Sequence, residues 1–232
     1  MSELLKINNL WGGYQKGVDI LRGISLEVQQ GEVVGIIGLN GSGKSTLGKS
    51  IINMIPFHKG EIFFNGEDIT ALSTSELSHR GISIMQQGGR VFRNLTIWEN
   101  LQLAGYATNS QLTEIVPLLH CSTNELQKIM ADKLSGGQKH QLSLAMTLAT
   151  SPRFVILDEP SAGLSPKAVE EMYNILHLVR ERMNISIILI EQNISKAIRF
   201  CDWSILLQQG QIAKRIESKD INEIEKIMFN IV

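Results

Sequence analysis

The stretch Gly38-Leu39-Asn40-Gly41-Ser42-Gly43-Lys44-Ser45-Thr46 constrains this chain more than any other. It fits the pattern G-x-x-x-x-G-K-[ST] at every fixed position. The apolar run Val33-Val34-Gly35-Ile36-Ile37 before it reads as a buried strand, and residues 47–54 after it continue as a helix. Strand, glycine-rich loop and helix in that order make a phosphate cradle. Glycines tolerate positive φ, so backbone N–H groups can close around phosphate oxygens. The helix N-terminus adds partial positive charge at the same spot. In such a cradle Lys44 reaches the β- and γ-phosphates and the Ser45 hydroxyl ligates Mg²⁺. An ordinary Gly/Ser turn at a helix start is the plain alternative, but it does not require Lys-Ser-Thr at this offset. The expectation is a nucleoside triphosphate site.

Around that loop the pattern alternates between strands and helices. Residues 4–10 read as a strand, Trp11-Gly12-Gly13-Tyr14 as a turn, and Ile24-Ser25-Leu26-Glu27-Val28 as a second strand by strict alternation. Residues 56–60 read as a loop, and Glu61-Ile62-Phe63-Phe64 before Asn65-Gly66 as a strand with a tight turn. A short buried strand, 82–85, runs into the polar loop Gln86-Gln87-Gly88-Gly89-Arg90. Thr96 caps a predicted helix carrying Trp98, Leu101 and Leu103; shorter helices follow near 112–119 and 124–130, and another at 136–149. Phe154-Val155-Ile156-Leu157 is an apolar strand ending in Asp158-Glu159-Pro160. Ser165-Pro166 opens a helix whose Val169, Met172, Tyr173, Leu176 and Val179 share one face. A buried strand at 185–190 ends at Glu191-Gln192-Asn193; a hairpin of 205–207 with 212–216 and a helix from about Asp220 finish the chain.

Two further motifs carry chemistry. Asp158 ends an apolar strand, where ligands of open α/β sheets bind, and there it can hold the Mg²⁺ that Ser45 also touches. Glu159 beside it can take a hydrogen bond from an attacking water and act as general base. Both acids can instead simply cap the following turn. Leu134-Ser135-Gly136-Gly137-Gln138 places two glycines behind a serine at a helix start, a second anion-binding N-terminus apart from the first loop. Alone it reads equally as a helix cap. Together with the phosphate loop and Asp158-Glu159, this run resembles the signature of the ABC-type ATPases, and the resemblance covers essentially all 232 residues.

What the resemblance implies can be stated position by position. The fold is α/β: a P-loop NTPase core with a mainly parallel sheet, an N-terminal antiparallel β-subdomain and an inserted α-helical subdomain. Residues 1–87 and 150–232 form the core with its β-subdomain, and 88–149 the helical part bearing the signature. Gly38 to Thr46, every residue of the loop, hold the phosphates of ATP, and Tyr14 matches the aromatic on which adenine stacks. Gln87 is similar to the glutamine that touches Mg²⁺ and the attacking water while signalling to the membrane subunit, with Gln86 the rival assignment. Ser135, Gly136, Gly137 and Gln138 resemble the residues that meet ATP bound to the opposite subunit, and Ser161-Ala162-Gly163-Leu164-Ser165 the loop that crosses between subunits. One chain thus holds two half-sites and needs a second, identical or homologous, ATPase. Where the family generally has a histidine, this chain has Gln192, which can donate to phosphate but cannot change charge. A weakly hydrolysing site is one reading of that change, and the intact Glu159 and phosphate ligands weigh against it. Glu191-Gln192-Asn193 and Asp-Glu-Pro-Ser-Ala-Gly-Leu-Ser-Pro also resemble one branch in particular, the second ATPase of branched-chain amino-acid importers and their amide and urea relatives.

Composition bounds the partners. With 22 basic and 23 acidic residues and a net charge of −1, no polyelectrolyte partner is called for, and the absence of a basic block argues against nucleic acid. No apolar run approaches the ~20 residues that span a bilayer. Two distant cysteines fit neither a disulfide scaffold nor a metal site, and the N-terminus lacks a signal-peptide pattern. The expectation is a cytoplasmic ATPase on the inner face of the membrane, driving permease subunits together with a solute-binding protein. The nearer rival is another transporter of the superfamily, exporting lipid or lipopolysaccharide. The rival of a different class is an ABC ATPase or regulator unconnected with transport.

Overall fold

The computed structural model describes residues 2–105, 119 and 123–218. Its strands split into two sheets. One is antiparallel, ordered β2-β1-β4-β5, from β1 (Glu3–Gly13), β2 (Leu21–Gln29), β4 (Phe57–Phe64) and β5 (Glu67–Asp68). The other is ordered β10-β9-β3-β8-β7-β6, from β3 (Val33–Ile37), β6 (Ile82–Met85), β7 (Phe154–Asp158), β8 (Ser186–Glu191), β9 (Trp203–Gln208) and β10 (Gln211–Glu217). All its pairings are parallel except the hairpin β9–β10.

Burial explains the division. β2 alternates buried and exposed positions, as a sheet with one wet face must. β3, β7 and β8 are buried at every position, the mark of strands covered on both faces. Their alternate side chains feed two separate cores. Val33, Ile37, Val155, Leu157, Ile187 and Leu189 face the helical side. Val34, Ile36, Ile156, Ile188 and Ile190 face Leu47 and Ile51 of α1 (Lys44–Ile51) and the antiparallel sheet beyond it.

Among the described residues the remaining α-helices are α2 (Thr74–His79), α3 (Ile97–Leu103), α4 (Thr123–Leu126), α5 (Gly136–Leu148), α6 (Pro166–Met183) and α7 (Ile194–Phe200). Thr96 caps α3 as its sequence predicts, through a reciprocal box with Glu99, and Ser165 caps α6 ahead of Pro166. Among the described residues between 88 and 149 there is no strand.

Several local expectations are corrected. Trp11, Gly12 and Gly13 continue β1 instead of turning, because they pair with Lys59, His58 and Phe57. Those partners lie in the segment read as a loop. The misleading residue is Gly60, at φ 101, where an added Cβ would stand 2.5 Å from the Asn9 carbonyl oxygen. It marks a shift in register between β1 and β4 that only glycine accommodates. The helix after the phosphate loop starts at Lys44. The predicted helix at 124–130 is only the short α4; Ile129 and Ala131 are instead bonded through their backbones to Ile97 and Leu95 at the head of α3. Helices α2 and α7 escaped the sequence reading, although Ser73 and Asn193 supply N-caps for them. The predicted helices at 112–119 and from Asp220 fall outside the described residues, apart from Leu119.

Candidate functional site

Parallel pairing brings four loops to one edge of the larger sheet. β3 pairs Ile37 with Glu191 of β8, and β8 pairs Ile190 with Asp158 of β7. The phosphate loop, Asp158-Glu159 and Gln192 therefore emerge side by side, with Gln87 two residues beyond the end of β6. This is the carboxyl edge where open α/β sheets bind their ligands. A cleft of about 440 Å³ opens there, lined by Asn40, Gly41, Gly43, Lys44, Ser45, Thr46, Gln87, Glu159 and Gln192 together with Ile20.

The loop is shaped for an anion. Gly43 takes φ 104 at the N-cap of α1, and no side chain caps the helix. The orphan N–H groups at that end are left for a ligand. Lys44 is 4 % exposed, and its ammonium donates to the carbonyls of Gly38 and Leu39 at 2.9 and 3.0 Å. Burial lowers its pKa, opposed by the fields of Glu159, Asp158 and Glu191. Ser45 Oγ donates to Asp158 Oδ1 at 2.8 Å. Burial raises the Asp158 pKa, while the Ser45 bond and then Lys49 and Lys44 draw it back.

Glu159 receives a donor on each oxygen. Gln87 Nε2 donates to Oε2 at 2.7 Å and Gln192 Nε2 to Oε1 at 3.4 Å. Gln192 Nε2 also donates to Asn40 Oδ1 of the phosphate loop. The Glu159 backbone takes φ 49, an uncommon value for a residue with a side chain, and its N–H donates to the Ile190 carbonyl at 2.9 Å. Between the two candidate glutamines the geometry discriminates. Gln86 lies beside the Met54 sulfur, in a groove with Arg90, Ala104 and Met146, and away from Glu159.

Not every expected residue joins this cleft. Tyr14 is exposed on the turn after β1, with the Lys49 ammonium 5.9 Å from its ring centroid, and it does not line the cleft. Ser135, Gly136, Gly137 and Gln138 line a separate recess of about 620 Å³ with Gly163, Leu164, Ser165 and Lys167. Ser135 and Gln138 also form a reciprocal capping box on α5, so the plain capping role is real. The Ser135 hydroxyl accepts in that box and keeps its own proton to donate elsewhere.

The donor set fits Mg²⁺ held mainly through nucleotide phosphates. Ser45 and Asp158 present one hydroxyl and one carboxylate, and Mg²⁺ takes few protein ligands when phosphates supply the rest. Among the described residues no group of three or more His, Cys, Asp or Glu could hold a metal by itself. No helix there is long and apolar enough to cross a membrane.

Sequence reasoning passed over Glu191 as a site residue. It is 2 % exposed and bonded to Ser161. The signal available was a carboxylate directly following an unbroken apolar strand.

Comparison with known proteins gives a consistent setting. The family model described as ABC transporter matches residues 21–162. A probable branched-chain amino acid transport ATP-binding protein, LivF, of Archaeoglobus fulgidus is 34% identical, over 96% of this chain and 96% of that protein. The lipopolysaccharide export system ATP-binding protein LptB of Acidithiobacillus ferridurans is 32% identical, over 91% and 89%. Among solved structures, the ADP conformation of an ATP-binding cassette of an ABC transporter superposes with a TM-score of 0.84 at 26% identity, covering 99% of each chain.

Proposed function

The chain belongs to the ABC transporter family, and from that premise we propose that it is the ATP-hydrolysing subunit of an importer of branched-chain or related amino acids. The observation that supports hydrolysis is Glu159 held between two amides, Gln87 on one oxygen and Gln192 on the other, beside the phosphate loop. Those bonds fix the direction of the carboxylate and leave it lone pairs with which to accept from a water. Lys44, now satisfied by two loop carbonyls, is placed to exchange them for phosphate oxygens. Gly38, Leu39, Asn40, Gly41, Ser42, Gly43 and Thr46 complete the cradle, and Tyr14 serves the adenine. When bound, Mg²⁺ neutralises phosphate charge, and Ser45, Asp158 and Gln87 are the residues that would hold it.

Ser135, Gly136, Gly137 and Gln138 act on nucleotide bound to a second ATPase, which is why their recess stands apart from the cleft in one chain. Residues 88–149 then form the helical part that, with the Gln87 loop, carries movement to permease subunits at the inner face of the cell membrane. A solute-binding protein delivers the substrate.

The amino-acid reading draws support from relatives named for branched-chain amino acid transport, at 34% and 32% identity. A second reading, service to an exporter, draws on the relative named for lipopolysaccharide export at 32%. Reconstitution with membrane permeases of the branched-chain amino-acid and of the lipopolysaccharide type tests both. ATP-dependent uptake of leucine, isoleucine or valine supports import, and ATP turnover without any amino-acid uptake excludes it.

A further inference from the structure

Glu191 closes β8 with a carboxylate that makes no ion pair among the described residues. A buried charge without a cation is costly unless hydrogen bonds compensate it. Here the donors come from two loops. The Ser161 hydroxyl donates to Oε1 at 2.6 Å and the Ser161 N–H to the same oxygen at 3.3 Å. The Gln192 N–H donates to Oε2 at 3.2 Å, and the Asn193 backbone adds a further bond. Burial pushes the carboxyl above its ordinary pKa, and these bonds draw it back.

The two loops have different duties. Ser161 begins the segment whose Gly163, Leu164 and Ser165 line the signature recess. Gln192 carries the amide that reaches Glu159. We propose that Glu191 is a positioning residue that couples the 161–165 segment to Gln192, so that engagement of that segment by a second ATPase sets the Gln192 amide against Glu159. The physical cause is the shortage of donors. A shift of residues 161–165 that stretched the two Ser161 bonds would strip a buried Oε1 of both donors, and the backbone of Gln192 and Asn193 would have to follow. The carboxylate thus transmits displacement from one loop to the other. This rests on Glu159 and Gln192 forming the hydrolytic pair.

The test is a double-mutant cycle on ATP turnover by the full chain assembled with its membrane subunits. Glu191→Gln keeps the shape of the side chain, Ser161→Ala removes one hydroxyl, and Ser161→Thr restores it. Each of the first two should lower kcat by roughly 10- to 100-fold, the size of a bond to a buried charge. The KM for ATP should stay near the parent value, because neither residue touches the phosphate loop. The double variant should be no slower than the slower single, the mark of two residues acting as one unit. Ser161→Thr should recover most of the rate. Additive losses, a KM that rises in step with the fall in kcat, or a threonine variant as slow as the alanine one would each overturn the coupling. Glu159→Gln, run alongside, separates the two claims. Turnover lost there, with additive effects at Glu191 and Ser161, overturns the coupling and leaves the hydrolytic site standing. Turnover surviving Glu159→Gln overturns both.

Discussion

Gly136→Ala separates what the signature does for its own chain from what it does for a second subunit. Gly136 is the first residue of α5, and beyond its chain neighbours and the backbone of its own helix no heavy atom lies within 4 Å of the place its Cβ would occupy. Gly137 beside it is less free, since a Cβ there would stand 3.2 Å from Ala168 Cβ. The methyl at 136 therefore meets nothing in the protein itself. Alanine exceeds glycine in helix propensity by about 1 kcal/mol in an interior. At the first helical position only part of this applies, so stability should hold or rise by up to about 1 kcal/mol, a gain of at most roughly 2–4 °C in Tm for a chain of this size. Turnover should move the other way. If a phosphate of the partner's ATP approaches the backbone of α5, the methyl blocks it, and losing one such preorganised contact costs on the order of 10²–10³ in kcat. Thermal unfolding, ATP binding by the isolated chain and steady-state ATPase of the assembled complex measure the three quantities. Unchanged turnover would refute the approach of phosphate to Gly136, and a Tm drop of several degrees would refute the open space around it.

The remaining predictions follow from the same geometry. Glu159→Gln should bind ATP but lose ~10²–10⁴-fold in turnover and accumulate as an ATP-bound dimer in light scattering; hydrolysis at the parent rate would remove Glu159 from the role of base. Lys44→Ala should weaken ATP binding by the isolated chain while Ser135→Ala leaves it intact; equal losses would place the signature on the chain's own nucleotide. Gln192→Ala should lower kcat more than it weakens binding, and Gln192→His should keep part of the rate with new pH dependence between roughly 6 and 7; an alanine variant as fast as the parent would reduce Gln192 to a space-filler. Burial raises the folded pKa of Glu191, so its stabilising contribution is present below the ordinary glutamate value of about 4.3 and lost as pH rises through the folded pKa. The Tm difference between Glu191→Gln and the parent should therefore move in the variant's favour from acid to neutral pH, and a flat difference would contradict the raised value.

What was legible in the chain depended on whether the signal was local. β3 is read from five consecutive apolar residues, and its ends match the structure at both Val33 and Ile37. Thr96 and Ser165 declare their helices through caps that need only the next three residues. The phosphate loop carries its geometry in its own glycines. The β1–β4 edge does not: Trp11-Gly12-Gly13 and the segment through Gly60 look like turns separately, and each becomes a strand only because the other pairs with it. Pairing across that distance in sequence leaves no mark in a window of ten residues.

The same distinction governs the site. Lys44, Ser45, Asp158 and Glu159 are readable because each sits in a motif whose spacing the chemistry dictates. Gln87 is preferred over Gln86 in the sequence only through the run Gln-Gly-x-Arg-Val-Phe that it opens, and the structure bonds Gln87 to Glu159 while Gln86 lies beside Met54. Glu191 has no motif of its own, and its meaning comes from Ser161, brought to it by the parallel pairing of β7 with β8. A carboxylate at the end of a fully buried strand carries one inference even before the structure: it must find donors, and they must come from loops at the same edge. Since the neighbouring strands at that edge end at the phosphate loop and at Asp158-Glu159, a buried Glu191 was bound to be wired into the nucleotide site or its flanking loops. Which loop supplies the donors is the part that only three dimensions decide.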